Sequence, residues 1–347
     1  MLSSEATVLL SDPAQLSAEL IDHMAAHDVA VAHRDGCAVI DLGLGSGILE
    51  VAAGSLKVRV EARDQGGIEM LRSVMATNIV DFADGETPSI IWSGCDPIAT
   101  TFANFREVRL ETVEAVSPRM RRLTFTGADL DRFGSRDDLH VRLYIPPAGL
   151  ARPEWPRPGP DGRTLWPREE YCPAVRYYTV RRAGAERVEI DVVLHDDPGP
   201  GACLAREARP GMICGLAGPL GRTAPPAKWT LLTGDETALP AIARLLEDMA
   251  PDATGLALIE VGGPDEEIAL DGPPGMAVRW LHRGAAKPGT TDCLVAAVAG
   301  LDWPDDPDLF VWAGCEIAAA KALRRHLRVE RGLTRDRHLV VGYWQVG

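Results

Sequence analysis

Residues 176–182 read RYYTVRR, and this stretch has the pattern of a β-strand whose side chains can bind a ligand. Successive side chains of a strand point to opposite faces, so Arg176, Tyr178 and Val180 should share one side and Thr179 the other. Arg176 can pair with a pyrophosphate, and the ring of Tyr178 can pack on a flat heterocycle. Thr179 can offer its hydroxyl or amide to a ring nitrogen. The alternative is an ordinary barrel strand whose long side chains extend into solvent.

The segments around this strand also have strand patterns, which predicts a small antiparallel β-barrel over residues 106–226. The stretch VEIDVVLH (188–195) alternates apolar and acidic residues, as a strand with one wet face does. Further strands are predicted at VRLETVEAV (108–116), RRLTFTG (121–127) and HVRLYIP (140–146). A Pro-rich loop from Pro146 to Pro173, with Trp155 and Trp166, interrupts them, and a loop of this length should be functional or disordered.

A different pattern begins at residue 227, where strands alternate with helices. KWTLLTG (228–234) precedes the predicted helix ALPAIARLLEDM (238–249), and LFVWAG (309–314) precedes IAAAKALRRHLRVE (317–330). This alternation predicts an α/β domain over residues 227–347, with a parallel sheet and ligands at the carboxyl ends of its strands.

The first part of the chain combines both kinds of element. AQLSAELIDHMAAHDV (14–29) and IEMLRSVMATNIVDFA (68–83) have helical spacing, whereas CAVIDLG (37–43), GILEVAAG (47–54) and LKVRVEAR (56–63) have strand patterns. Residues 1–95 should therefore form a small α+β accessory domain, and the chain should have three domains.

Composition excludes several classes of protein. The 347 residues are 46% hydrophobic and 25% charged, and no apolar run reaches the ~18 residues that span a bilayer. Because the N-terminus lacks a secretory signal, we expect a cytoplasmic protein. The seven cysteines form no Cys-x-x-Cys pair, which indicates reduced thiols and no metal centre. A formal charge of −14 disfavours nucleic acid and anionic membranes as partners.

Two clusters of side chains have competing interpretations. Basic residues crowd the last helix and its exit, either as a solvated face or as a surface for anions: Lys321, Arg324, Arg325, Arg328, Arg331, Arg335 and Arg337. His23 and His27 are four residues apart on a predicted helix and can share a metal, but paired histidines on an exposed helix face are common.

Six stretches in order resemble one family. RYYTVRR is similar to the Arg-x-Tyr-Thr flavin motif of the siderophore-interacting proteins, which are FAD-dependent ferric-siderophore reductases of the ferredoxin reductase superfamily. The resemblance continues through VLHDDPGPGACLA (193–205), LAGPLGR (216–222), LLTGDETALPAI (231–242), VWAGCEIAAAKALRRHL (311–327) and GYWQVG (342–347). It covers residues ~107 to 347, and residues 1–95 resemble a small uncharacterised domain found fused ahead of such reductases.

The resemblance implies an FAD site on the barrel. By it, Arg176, Tyr178 and Thr179 hold the FAD pyrophosphate and ring system, and Val193 to His195 lie along the cofactor. The stretch GPGACLA, which includes Gly199 and Ala202, matches a phosphate loop that is usually Gly-Pro-Ala-Ser-x-Trp-Ala. Gly201, Ala202 and Leu204 depart from that pattern, so we expect FAD to be held less tightly, by backbone amides at a helix start.

NADH or NADPH is the second cofactor that the resemblance implies, at the turn after the first parallel strand. Gly234, Asp235, Glu236 and Thr237 belong to this turn, and Glu316 lies at the equivalent helix start: all five are candidates for NAD(P)H binding. A structural role is the alternative, in which Asp235 or Thr237 caps the helix and Glu236 favours its dipole. Glu260 can meet a ribose 2′-hydroxyl and Arg283 a 2′-phosphate, which leaves the choice of nucleotide open.

The activity implied is NAD(P)H-dependent reduction of a ferric siderophore, which releases ferrous iron. No protein acid or base is obligatory, because the flavin carries the electrons. Two alternatives remain: a general NAD(P)H:flavin or quinone reductase, and a non-catalytic siderophore-binding protein. Tyr343 and Trp344 can cover the flavin or simply pack in the core. Since the flavin strand and nucleotide turn lie beyond Arg106, removal of residues 1–95 should leave flavin binding and hydride transfer largely intact.

Overall fold

The computed structural model describes residues 1–27, 29–94, 100–150, 152–195, 199–305 and 308–346. The chain folds into two compact units, each assembled from segments that are not continuous in sequence. The first unit contains residues 1–107, 142–175 and 214–221, and the second contains residues 108–141, 176–213 and 222–347. Among the described residues, no helix has both the length and the apolar character needed to cross a bilayer.

The N-terminal part of the first unit is the expected α+β domain. Its elements are β1 (Leu2–Leu9), α1 (Pro13–Ala26), β2 (Ala30–Arg34), β3 (Cys37–Asp41), β4 (Gly45–Ala52), β5 (Ser55–Ala62) and α2 (Gln65–Asp81). The sheet is antiparallel with the order β1-β5-β4-β3-β2. Alternate residues of β1 and β5 are buried with the apolar faces of both helices, which gives this domain its own core.

Next in the chain come the barrel strands and the elements between them. They are β6 (Phe105–Ser117), β7 (Met120–Thr126), β8 (His140–Ile145), β9 (Arg157–Pro158), β10 (Thr164–Leu165), β11 (Ala174–Ala183), β12 (Arg187–Val193), α3 (Pro200–Glu207) and β13 (Ile213–Leu220). Short 3-10 helices span Asp131–Gly134 and Glu169–Tyr171. The barrel is closed with the order β11-β12-β7-β6-β13-β8. The predicted antiparallel barrel is therefore confirmed.

The loop between β8 and β11, which was expected to be functional or disordered, has regular structure in its described part. Within it β9 and β10 form a short antiparallel pair, and Trp155 packs near Phe105 at a ring distance of 5.2 Å. The described part of the loop is thus a folded element of the first unit. Sequence reasoning missed this because the pair has only two residues on each side.

The rest of the chain forms the predicted α/β domain. Its elements are β14 (Trp229–Gly234), α4 (Leu239–Asp248), β15 (Thr254–Val261), β16 (Gly275–His282), α5 (Cys293–Ala299), β17 (Leu309–Glu316), α6 (Ile317–Arg325) and β18 (His338–Trp344). Helix α6 continues as a π-turn over His326–Glu330, and 3-10 turns span Pro264–Glu266 and Arg335–Arg337. The strands are parallel in the order β16-β15-β14-β17-β18. The short helix α5 was not among the predictions.

Candidate functional site

Strand β11 carries the predicted flavin residues, but exposed and buried side chains alternate along only part of it. Arg176 is exposed, Tyr178 is half-buried and Thr179 is only 4% exposed. The register against β12 shifts between Val180 and Arg182, so three consecutive residues from Thr179 are buried. Because of this bulge, Arg181 is buried and forms a bidentate pair with Glu247 instead of facing solvent.

The hydroxyl of Tyr178 lies against the first turn of α3. A Cβ atom at Gly201 would overlap this hydroxyl and would lie 2.9 Å from Cζ of the ring. Burial raises the pKa of Tyr178 to about 12, although the positive charge of Arg176 opposes the shift. The phenol therefore stays protonated at neutral pH and remains a hydrogen-bond donor beside the turn.

The start of α3 offers backbone amides to an anion. Gly199 is the N-cap and makes no side-chain capping hydrogen bond, and Pro200 occupies the first position of the helix. Within the described residues, space is open where a side chain at Gly199 would point, whereas Ala202 and Leu204 are buried. The turn can therefore accept a phosphate through its amides and helix dipole, without a hydroxyl from Ala202.

The other two predicted residues near this turn have different surroundings. Val193 is a buried core residue, which leaves its backbone as the part available to a cofactor. The carbonyl oxygen of His195 accepts a hydrogen bond from Arg206, and its ring lies 5.7 Å from that of Trp344. The adjoining residues 196–198 of the resembling stretch lie outside the described residues.

Thr179 tests whether these residues suit a flavin. Its hydroxyl is buried beside the hydroxyl of Tyr343 and makes no hydrogen bond of good geometry among the described residues. Such a group normally has a partner, because an unsatisfied buried hydroxyl costs free energy. A ring nitrogen of a flavin would supply that partner, so Thr179, Tyr178 and the amides of α3 fit FAD.

Tyr343 is held from the other side by a histidine. Its hydroxyl lies 2.6 Å from Nε2 of His140, and its ring packs edge-on against Trp312. Burial, helped by the charge of Arg244, lowers the pKa of His140 to about 4, so the imidazole is neutral, and its tautomer decides which of the two groups donates the hydrogen bond. Burial also raises the pKa of Tyr343. The side chain of Tyr343 is half-buried and packs against the core of the α/β domain.

The turn after β14 is tied together by Asp235. Its carboxylate accepts hydrogen bonds from the amide of Thr237 at 2.9 Å, the amide of Glu316 at 3.0 Å and Nε1 of Trp344 at 2.9 Å. Burial raises the pKa of Asp235, and these hydrogen bonds oppose the shift. The helix-capping alternative is wrong for α4, because its N-cap is Ala238 and no side chain caps it.

Glu236 forms a buried ion pair with Arg283. Two hydrogen bonds of 2.7 and 2.8 Å join the carboxylate to the guanidinium, which also lies 3.8 Å from Glu260. Burial and the charge of Asp235 raise the pKa of Glu236 to about 7 although Arg283 lowers it. Glu260 also accepts a hydrogen bond from Cys293 at 2.9 Å. Protein partners therefore already engage the two side chains that were expected to distinguish the nucleotides.

Glu316 has a structural role at the equivalent helix start. Its Oε2 accepts hydrogen bonds from the amides of Ala318 and Ala319 and thereby caps α6. Gly234 allows the ends of β14 and β17 to meet, since a Cβ there would overlap the carbonyl oxygen of Gly314. The crevice at these strand ends is thus lined by backbone and by the carboxylates of Asp235, Glu236 and Glu316, which already accept hydrogen bonds from the protein.

A pocket of about 320 Å³ opens beside the ends of β15 and β16. Gly262, Gly263, Asp265, Arg119 and Lys287 are among the residues that line it. Sequence reasoning missed this pocket, although the Gly-Gly pair after a parallel strand is a signal for close backbone approach.

Each of the two clusters with competing interpretations contains side chains that contact the protein itself. Arg324 donates to the carbonyl of Val340, and Arg331 lies 4.9 Å from the ring centre of Trp303. The rings of His23 and His27 are 4.6 Å apart, and His23 packs edge-on against Phe82. Over the described ranges, no group of three or more potential ligands is arranged for a metal.

Three family models match the chain. The models described as a siderophore-interacting protein and a siderophore-interacting FAD-binding domain match residues 227–347 and 109–223. A third, described as an uncharacterised protein conserved in bacteria, matches residues 5–93.

Similar proteins extend this finding. The ferric vibriobactin reductase of Vibrio cholerae is 32% identical over 67% of this chain and 86% of its own length. The NADPH-dependent ferric-chelate reductase of Escherichia coli is 28% identical over 69% of this chain and 92% of its own. A siderophore utilization protein from T. fusca, known from a crystal structure, is 40% identical, with a TM-score of 0.62 over 70% of this chain and 93% of its own.

Proposed function

The chain belongs to the siderophore-interacting protein family and carries its FAD-binding domain; from this premise we propose that it is a cytoplasmic, NAD(P)H-dependent reductase of ferric siderophores. In this proposal residues 106–226 bind FAD, residues 227–347 bind NAD(P)H, and residues 1–95 are an accessory domain. The ferric siderophore is the substrate. Its hard oxygen donors bind ferrous iron much less well than ferric iron, so reduction leads to release.

One observation carries the proposal: among the described residues, the buried hydroxyl of Thr179 lacks a well-formed hydrogen bond, and it lies in the strand that also holds Arg176 and Tyr178. Bound FAD supplies the exchange between hydride transfer and single-electron transfer that the reaction needs. Thr179 then donates to a ring nitrogen, while Arg176 and the first-turn amides of α3 hold the pyrophosphate. Tyr178 closes the space between strand and helix and limits access of water.

The nucleotide binds at the carboxyl ends of the parallel strands. Because the carboxylates of Asp235, Glu236 and Glu316 are already engaged, these residues meet NAD(P)H mainly through their backbone, together with Gly234 and Thr237. The pocket of about 320 Å³ takes the adenosine end of the nucleotide, where Asp265 and Lys287 face it. A comparison of the reaction rates with NADH and with NADPH tests whether the negative charge of Asp265 or the positive charge of Lys287 has the larger effect on nucleotide binding.

An oxygen-free experiment tests the proposed function. The protein is saturated with FAD, NADH or NADPH is added, and the flavin absorbance is followed before a ferric siderophore is supplied with a ferrous-iron chelator. We expect bleaching by the nucleotide, recovery with the ferric siderophore and formation of the ferrous complex. Recovery with quinones alone would instead support a general reductase. A protein that acquires no flavin spectrum would support the non-catalytic alternative.

A further inference from the structure

The N-terminal domain contacts one segment of the first unit at several points. We call this segment, residues 146–173, the insertion; all of it except residue 151 is described. Nε1 of the buried Trp92 donates a hydrogen bond of 2.9 Å to the carbonyl of Asp161. The hydroxyls of Ser73, on α2, and Thr164, on β10, are 2.8 Å apart. Two neighbouring points of the insertion are therefore bound to the N-terminal domain.

The fit at the tip of the insertion leaves no room for a side chain. Gly162 has a φ of +88°, and a Cβ there would lie 2.5 Å from Nε1 of Trp92 and 3.2 Å from Cβ of Arg72. Arg72 is itself buried, and its guanidinium donates to the Ser4 hydroxyl and the Ser93 carbonyl. The surface under the tip is thus fixed by α2, β1 and the residues that follow α2.

The tip also has internal structure. The Asp161 carboxylate accepts hydrogen bonds from the amide of Arg163 at 3.0 Å and from its guanidinium at 2.7 Å. The amide of Gly159 donates to the carbonyl of Arg163 at 2.7 Å. An isolated pair of such short strands is not stable in water, so its order depends on the surface to which it binds.

The end of the insertion leads directly into the flavin strand. Strand β11 begins at Ala174, immediately after Pro173, and Arg176 follows two residues later. Val175 packs in the same small core as Phe105 and Trp155 of the first unit. A segment that is fixed at its tip and its base samples fewer conformations, and this lowers the entropy lost when the next residues are ordered.

We propose that the N-terminal domain acts as an intramolecular clamp on the insertion, and that this clamp positions Arg176 for the FAD pyrophosphate. The inference rests on the proposed binding of FAD. It reverses the expectation that removal of residues 1–95 leaves flavin binding intact. Arg176 touches the cofactor in this proposal, whereas Trp92, Ser73 and Gly162 act only through the insertion.

The test uses the full chain with two sets of substitutions. Trp92→Phe combined with Ser73→Ala removes both hydrogen bonds and keeps the aromatic ring in the core. Gly162→Ala disturbs the same contact from the insertion side, so the test does not depend on one variant. Trp303→Phe is the matched control, because it also removes an indole hydrogen bond to a carbonyl, that of Val298 in the second unit.

Two quantities are measured for each variant. Trypsin cleavage between Arg163 and Thr164 reports release of the tip, and we expect about tenfold faster cleavage from the loss of two hydrogen bonds. FAD titration followed by flavin fluorescence should show affinity reduced about tenfold, with the control unchanged. In an Arg176→Ala background, the same substitutions should change FAD affinity by less than about twofold, because the residue they position is absent.

The outcomes separate the inference from the proposed function. Faster cleavage with unchanged FAD affinity would overturn the clamp as a positioning device, as would equal losses with and without Arg176. Unchanged cleavage and unchanged affinity would overturn it entirely. If the parent protein binds no FAD, both the proposed function and this inference are wrong. If the parent binds FAD no better than the variants do, only the inference is wrong.

Discussion

The hydroxyl of Tyr178 fills the space that a Cβ atom at position 201 would need, so strand β11 and helix α3 approach each other because residue 201 is glycine. This relationship links the two parts of the proposed FAD site. Either Tyr178 or Gly201 can be substituted to test the contact. The atom that an added Cβ would overlap is the hydroxyl oxygen at the end of the Tyr178 side chain.

Gly201→Ala should displace the Tyr178 ring and weaken FAD binding by roughly tenfold, the effect of losing about 1.4 kcal/mol of interaction. Tyr178→Phe removes the closest overlapping atom, so the double variant should lose less affinity than the sum of the single losses. FAD titrations of the four proteins measure this coupling. Gly184→Ala is the control, since no described atom lies within 4 Å of its added Cβ. Additive losses would contradict the contact.

Arg176→Ala should weaken FAD binding tenfold to a hundredfold, because a charge-assisted hydrogen bond contributes about 1.5 to 3 kcal/mol. Ala202 has no hydroxyl that could compensate. Arg176→Lys should recover only part of the loss, because lysine lacks the planar fork that binds two oxygens. Fluorescence titrations with FAD test both variants. Parental affinity in Arg176→Ala would show that the motif assignment is wrong.

Thr179→Val should have opposite effects on the free and the FAD-bound protein. The valine methyl group replaces a buried hydroxyl that has no good hydrogen bond within the described ranges. The free energy of unfolding of the FAD-free variant should therefore equal that of the parent or exceed it by about 1 kcal/mol. The rise in Tm on adding FAD should shrink, because the donor to the flavin is lost. Thr179→Ser, which keeps the hydroxyl, is the control. If FAD raises the Tm of Thr179→Val as much as that of the parent, the flavin does not accept a hydrogen bond from the Thr179 hydroxyl.

His140 should make stability depend on pH below neutrality. Its pKa is about 4 in the folded protein and about 6.5 when unfolded, so the unfolded chain binds the proton first as the pH falls. The contribution of His140 is complete above pH 6.5 and is lost progressively towards pH 4, by at most roughly 3 kcal/mol. Urea unfolding from pH 7.5 to 4.5 should show a smaller loss in His140→Gln. Parallel curves for both proteins would refute this assignment.

Local patterns in the sequence were sufficient to predict the architecture. The alternation in VEIDVVLH predicted a strand that the structure confirms as β12, and the strand-helix alternation after residue 227 predicted the parallel sheet. These features follow from side-chain periods of two and 3.6 residues, which a short window of sequence contains. The motif RYYTVRR likewise lies on a barrel strand, although the bulge after Val180 was not foreseen.

The partners of the buried charges were decided only by the tertiary structure. Glu236 pairs with Arg283, 47 positions away, and Asp235 binds the amide of Glu316, 81 positions away, because the parallel sheet brings its strand ends together. The contact between Trp92 and Asp161 spans 69 positions and joins the N-terminal domain to the insertion. The sequence by itself determined most of the helices and strands and predicted the groups that bind FAD. Which of those groups remain available to a ligand depended on contacts across the fold, since a buried charge is stable only with a partner that local sequence does not specify.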